Sequence, residues 1–233
     1  MKQKKRFTGE LALVLGLIFN SFASTLMIKS HFGISSITSV PYVLSLAFDK
    51  LTYGTWNYIF QCFLIVMLVV LTRQFKIGYI ISFLLAIVFG YLIDFFNVNI
   101  IEILPNGILL NTIYFIVSFG VISLGMSLLL NCKTPVLPTD TFTRDFPAHF
   151  NIPYKRSKTV FDLSCLAFTI VVSLIFLRKI VGIGVGTVVC AFITGKVVSC
   201  INSFIDERFY FESIFTTLKN KKANKNEIIE DAN

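Results

Sequence analysis

Histidine and charge are both scarce in this chain, and each shortage excludes a class of function. Two histidines, His31 and His149, occur in 233 residues. The five cysteines, Cys62, Cys132, Cys165, Cys190 and Cys200, are odd in number and show no CxxC spacing. They lie mostly in apolar runs and read as small buried hydrophobes, so neither a disulfide framework nor a zinc site is expected. No G-x-S-x-G, no H-E-x-x-H and no cluster of His, Cys and Asp is present. The two histidines fall on opposite sides in the topology derived below, which removes a shared metal or a triad. Gly182, Gly184 and Gly186 form a GxGxG, but Val189 stands where a dinucleotide fingerprint needs its third glycine. No acidic residue follows at the required distance in a strand, so the phosphate-loop reading fails. The chain is therefore read as a non-enzyme with no metal and no cofactor. Charged residues make up only 15% of it, and the net charge of +8 comes from basic residues at ends and turns. A basic stripe with interleaved aromatics is missing, which argues against nucleic acid.

What is abundant is apolar: 55% of residues are hydrophobic and 25 are Phe. A soluble fold cannot hide that much apolar surface. A bilayer core about 30 Å thick takes roughly 20 apolar residues per helical crossing. Six segments qualify: Leu11 to Ile28, Trp56 to Thr72, Ile77 to Ile93, Ile108 to Leu130, Phe161 to Leu177 and Val181 to Phe204. The opening Met1-Lys2-Gln3-Lys4-Lys5-Arg6 looks like the start of a signal peptide, yet the run after it lacks a small-x-small cleavage site and leads into further apolar segments. It is read as an uncleaved first helix.

Lysine and arginine set the orientation. They collect before the first segment, at Arg73 and Lys76, between the fourth and fifth segments at Lys133, Arg144, Lys155, Arg156 and Lys158, and in the tail. Basic residues favour the cytoplasmic side, so an even number of crossings with both termini in the cytoplasm of a plasma membrane is expected. Arg178 and Lys179 are the exception. The polar stretch from Lys219 to Asn233 is expected to be disordered.

The chain also repeats itself at a shift of about 104 to 105 residues. Gly16 meets Gly120, Lys29 meets Lys133, and Ser35-Ser36-Ile37 meets Thr139-Asp140-Thr141; then Trp56-Asn57 meets Phe161-Asp162, Arg73 meets Arg178, Gly90 meets Gly195 and Asn97 meets Asn202. Three crossings per copy is an odd number, so the second copy enters the membrane upside down. Arg178-Lys179 is then the inverted counterpart of Arg73 to Lys76. The expected fold is an all-α membrane protein of two inverted three-helix repeats, each with a short re-entrant or amphipathic helix. Its parts are a basic N-terminus over 1–10, a first repeat over 11–97, a linker over 98–115, a second repeat over 116–206 and a tail over 207–233. The two halves, 11–97 and 116–202, should superpose by a rotation of about 180° about an axis in the membrane plane.

Two motifs carry a family resemblance. Pro138-Thr139-Asp140 is similar to the Pro-Trp-Asp turn of the YitT/YczE-type bacterial membrane proteins, with Thr139 where Trp is usual, and Gly182-x-Gly184-x-Gly186-Thr187 opens the sixth segment as in that family. The resemblance spans Leu11 to Asp206. It implies a plasma-membrane location and a transport-like function, with no substrate to carry over.

Polar residues inside apolar segments mark the candidate path. Lys196, Asp94 and Asp162 are charged within crossings, where charge is expensive. Lys196 could equally snorkel to the interface, and Asp94 could simply meet water at a helix end. Asn57 and Gln61 are neutral polar residues that join helices or line a cavity. Ser35, Ser36, Thr139 and Asp140 precede short helices whose positive ends could face an anionic or polar solute, with Arg144 as a further donor; capping by Thr139 or Asp140 is the plainer role. A helix begun near Ser39 or Pro41 either dips into the membrane or lies on it. The expected function is a secondary transporter or channel for a small polar solute or ion. The alternatives are a substrate-binding subunit with an energising partner, docked through Ala12 and Gly16, and a sensor or scaffold; a homo-oligomer is compatible with each.

Overall fold

A computed structural model describes residues 5–101 and 103–212. The disorder expected over 219–233 falls outside them. Eight helices follow in chain order: α1 Gly9–Ser30, α2 Ser36–Ala47, α3 Tyr53–Thr72, α4 Gly78–Ile101, α5 Ile108–Asn131, α6 Pro138–His149, α7 Tyr154–Val172 with a π-helical turn Ser173–Leu177, and α8 Val185–Arg208. α1, α3, α4, α5 and Arg156–Leu177 are long and apolar enough to cross a membrane. The protein is a multi-pass helical membrane protein. The sixth expected crossing corresponds to α8, which is 24 residues long.

α1 is the central helix. Of its apolar stretch 61% is buried within the protein, against 33% or less for the others, whose outer faces present Phe63, Val70, Tyr91, Leu109 and Ile175 to lipid. A buried helix cannot carry long polar side chains without partners, and α1 instead buries Ser21 and Thr25, whose hydroxyls donate to the carbonyls of Leu17 (2.8 Å) and Ser21 (3.1 Å) in their own helix. Its main neighbour is α5. Gly16 lies against Leu129 and Asn20 against Gly125, so four residues forward on α1 are four back on α5 and the two helices run antiparallel. Small side chains permit this close approach. Ala12 and Gly16 are fully or nearly buried at this seam, with Ala12 among Leu128, Cys132 and Ile205. They therefore pack helices inside the chain, and the partner-docking role suggested for them is corrected.

Four helices end in the left-handed region at a basic or imidazole residue: His31 after α1, Arg73 after α3, Lys133 after α5 and Arg178 after α7, with φ between 52° and 59°. A non-glycine residue there is strained by roughly 1–2 kcal/mol; a cation at a helix C-terminus recovers part of it through the helix dipole. The short helices recur as well. α2 and α6 each have 12 residues with one internal proline, Pro41 and Pro147. α2 packs on α3 and α7, and α6 packs on α7 and α3, so each short helix bridges to the other half. Ser39 shares a hydrogen bond with Thr169 (2.9 Å), and Ser82 on α4 shares one with Thr141 (3.3 Å).

β1, Lys5–Thr8, pairs in parallel with β2, Phe209–Glu212, from Lys5↔Phe209 to Thr8↔Glu212. Phe7 packs between Phe209 and Phe211, and Arg6 pairs with Glu212 at 3.1 Å. The strand before α1 and the strand after α8 thus meet on one face of the bundle, here called the terminal face. The α3–α4 turn lies on this face too, since Lys76 reaches Asp145 on α6, and Lys133 sits 4.9 Å over the Tyr210 ring.

Candidate functional site

A cavity of about 1000 Å³ lies between α4, α5, α6, α7 and α8 and also touches the start of α2. Along α8 it is bordered from Thr187 to Asn202, which at 1.5 Å per residue is a depth of about 22 Å. One end lies at Lys76, Lys133 and Asp145 on the terminal face; the other reaches Ser35, Ser36 and Met27 near the far end of α1. Its walls combine apolar side chains with charged and hydroxyl groups, and polar groups left unsatisfied are not tolerated against lipid.

The deep end is shaped by a backbone lock. The amide of Ile34 donates to the carbonyl of Gly182 (3.0 Å) and that of Gly186 to the carbonyl of Phe32 (2.7 Å). Gly33, at φ +108°, leaves no room for a Cβ against Thr187 Oγ1 and Gly184 N. This lock sets the start of α2, whose N-cap residue Ser35 makes no side-chain cap, and Ser35 and Ser36 line this end of the cavity. The glycine motif therefore packs the loop before α8 against the loop after α1.

The shallow end is charged. Asp145 accepts from Lys76 Nζ (3.0 Å), Tyr79 Oη (3.0 Å) and Arg144 Nε (2.9 Å). Burial works against its ionisation, but the hydrogen bonds from Arg144, Lys76 and Tyr79 and the Arg144 charge hold it below the usual carboxylate range. Contact with Asp145 raises Lys76 in turn. Lys158 Nζ pairs with Asp162 Oδ1 at 2.7 Å, one turn apart on α7. Asp140, in the first turn of α6, makes no ion pair among the described residues; burial pushes its carboxyl up, opposed by the charges of Lys158 and Arg144. Four basic and three acidic side chains thus border one water-accessible space.

Of the ten residues expected on the path, Ser35, Ser36, Asp140, Arg144 and Asp162 line this cavity. The other five do not. Asp94 closes the start of α3: its Oδ1 accepts from the amide of Gly54 (2.7 Å) and its Oδ2 from Thr52 Oγ1 (2.5 Å). Asn57 and Gln61 are buried, and Gln61 Nε2 donates to Asn57 Oδ1 within α3 rather than between helices. Lys196 is exposed on α8 away from the cavity, and Thr139 lies beside the cavity without lining it. The expected cap of α6 is also corrected. Leu137 is its N-cap residue, no side chain caps it, and the first turn is closed by Thr141 N donating to the Leu137 carbonyl (2.9 Å).

Sequence reasoning missed Lys76, Tyr79, Ser82, Lys158 and the α8 stripe Thr187, Thr194 and Asn202. That stripe had a signal, since its members are spaced at seven or eight residues and so share a helix face. Lys29 was also missed: it is buried, and its Nζ donates to the Ile101 carbonyl at the end of α4 (2.9 Å).

No curated protein and no solved structure matches the sequence. Residues 7–203 match a family of unknown function, DUF6198. That span takes in every helix up to the last turns of α8, with all of the cavity's lining residues, and on it the chain belongs to the DUF6198 family.

Proposed function

We propose that the protein is a plasma-membrane carrier for a small polar solute or ion, and that the cavity between α4–α6 and α7–α8 is its solute site. The observation that carries this reading is the cavity itself: a space about 22 Å deep whose walls carry charged and hydroxyl side chains among apolar ones, in a protein whose long helices otherwise present apolar surfaces. Binding modules at a membrane surface have no use for such depth. The resemblance to YitT/YczE-type proteins points the same way.

An inverted repeat belongs to this proposal. It is supported by the antiparallel α1 and α5, by the recurrence of a long, a short and two long helices, by left-handed caps at Arg73 and Arg178, and by the reciprocal packing of α2 on α7 and α6 on α3. α2 and α6 then act as half-helices whose N-terminal amides replace part of a solute's water shell. The terminal face is cytoplasmic in this reading. It bears Lys5, Arg6, Arg73, Lys76, Lys133 and Arg208, while Lys50, Arg178 and Lys179 lie at the other. The cavity accordingly opens to the cytoplasm.

The test is flux. Purified protein in liposomes is given a panel of radiolabelled sugars, amino acids, organic anions and inorganic ions. At least one should move, and Asp140→Ala and Arg144→Ala should reduce its movement while Lys196→Ala, off the cavity, should not. Binding without flux would favour the subunit that needs an energising partner; folded protein that neither binds nor moves any of the panel would refute the carrier.

A further inference from the structure

The two long hairpins differ where the repeat makes them equivalent. In the first half α3 packs along α4, and the contact is made by Gly54 and Gly90: a Cβ on Gly90 would lie 2.6 Å from the Gly54 carbonyl oxygen, and one on Gly54 would meet the Asp94 carboxyl at 2.6 Å. In the second half the described residues of α7 and α8 barely touch, and a Cβ on Gly195, the partner of Gly90 at a shift of 105, would meet nothing within 4 Å. The space between them is the cavity. The polar residues follow the same division. Asp162 lines the open space, whereas its counterpart Asn57 is 3% exposed, and Gln61 one turn on is 2% exposed with its Oε1 lacking any partner among the described residues. A buried amide oxygen without a donor costs on the order of 1–3 kcal/mol. A buried leucine would avoid that cost, so Gln61 is anomalous for a helix pair that is always closed.

We propose that the α3–α4 hairpin is the closed gate of the face opposite the chain ends, that α7–α8 is the open gate of the terminal face, and that the two exchange. Gly195 then serves α8 as Gly90 serves α4, allowing close approach to α7, while parting of Gly54 from Gly90 bares Asn57 and Gln61 to a second vestibule. Asp94 is the latch of the closed hairpin, because its carboxylate ties α4 to the first amides of α3. The proposal deepens the carrier reading by naming its moving parts, and it can be tested without any solute.

The experiment uses the full chain with its five cysteines replaced. Thr159→Cys is combined with Gly195→Cys, the counterparts of Gly54 and Gly90, and membranes are oxidised with copper phenanthroline. A disulfide needs Cα atoms within about 7 Å, so cross-linking is expected only if the parted hairpin closes. Separately, Gln61→Cys is exposed in intact cells to a membrane-impermeant maleimide, alone and with Gly90→Leu as a wedge. A state populated at about 1–10% becomes dominant when its competitor is blocked, so labelling should rise about tenfold or more. Detergent melting shows whether the wedge variant is folded; if it is not, the cross-link alone decides. No cross-link, or a folded Gly90→Leu protein in which the thiol introduced by Gln61→Cys stays unlabelled from outside, overturns the exchange. Cross-linking in a protein that moves no solute would leave the gates standing and sink the carrier.

Discussion

Asp94→Ala is the substitution whose magnitude follows most directly from the structure. The carboxylate accepts one hydrogen bond from the Gly54 amide (2.7 Å) and one from Thr52 Oγ1 (2.5 Å), and Thr52 is itself the N-cap that accepts from the Thr55 amide (3.1 Å). Alanine would strand the Gly54 amide and free the Thr52 hydroxyl from its brace. Loss of a cap costs about 1 kcal/mol, and a hydrogen bond to a charged group contributes about 1.5–3 kcal/mol, so Asp94→Ala should lower stability by about 2–4 kcal/mol. For a chain of this size each kcal/mol moves the midpoint by about 2–4 °C. A fall of roughly 5–15 °C is expected for purified protein melted in detergent. Asp94→Asn keeps one carbonyl acceptor and should lose about half as much. An unchanged midpoint for the alanine variant would refute the latch. Equal losses for Ala and Asn would show that charge rather than hydrogen bonding holds the hairpin.

Other expectations are checked the same way. Lys29→Met should lower the melting midpoint, since it removes the donor to the Ile101 carbonyl from a buried site; the loss is about 1–3 kcal/mol, and a neutral result would show that the ammonium is dispensable. Asn202→Leu breaks the hydrogen bonds to Ser127 and Asn131 that tie α8 to α5, and limited proteolysis within α8 should speed up; an unchanged cleavage rate would refute this anchor. Asp145 and Asp140 should respond to acid in opposite senses. The folded pKa of Asp145 is depressed, so its contribution is present above the unfolded value of about 3.9 and is lost as pH falls through the folded value; Asp145→Asn should flatten the fall in stability on acidification. The folded pKa of Asp140 is raised, so its ionisation subtracts stability as pH climbs from the ordinary carboxylate value to the raised one, and Asp140→Asn should leave the melting midpoint at pH 7 unchanged or higher. A lower midpoint would show the carboxylate to be stabilising.

Much of the fold was legible because apolar runs of bilayer length have few other uses. Five of the six segments correspond to spanning helices, with ends displaced: α4 runs on to Ile101 and α7 begins at Tyr154, beyond the apolar stretches, where no breaker stops the helix. The short helices were placed within a few residues, α2 at Ser36 and α6 at Pro138, because Ser/Thr and Pro mark helix starts in any solvent. The sixth segment corresponds to α8, one face of which, with Thr187, Thr194 and Asn202, borders the cavity.

The candidate site was half legible. Charge inside an apolar segment announces that something holds it but not what. Lys196 and Asp94 carried the same signal as Asp162, yet Asp162 faces the cavity with Lys158, Asp94 caps a neighbouring helix and Lys196 points away. Helices apolar all round have no preferred face in sequence, because lipid and packed neighbours accept the same side chains. Lys76 and Lys158 read only as turn and loop charges until α6 and α7 brought them to one space.

The sequence by itself determined the solvent, the apolar helices and the two polar interruptions, since each depends on local composition and order. Only the tertiary structure decided which helix pairs close. Gly90 and Gly195 are both glycines within long apolar helices, but one lies against Gly54 and the other borders an open cavity. Which hairpin is closed depends on contacts between helices distant in sequence, and a glycine permits either arrangement.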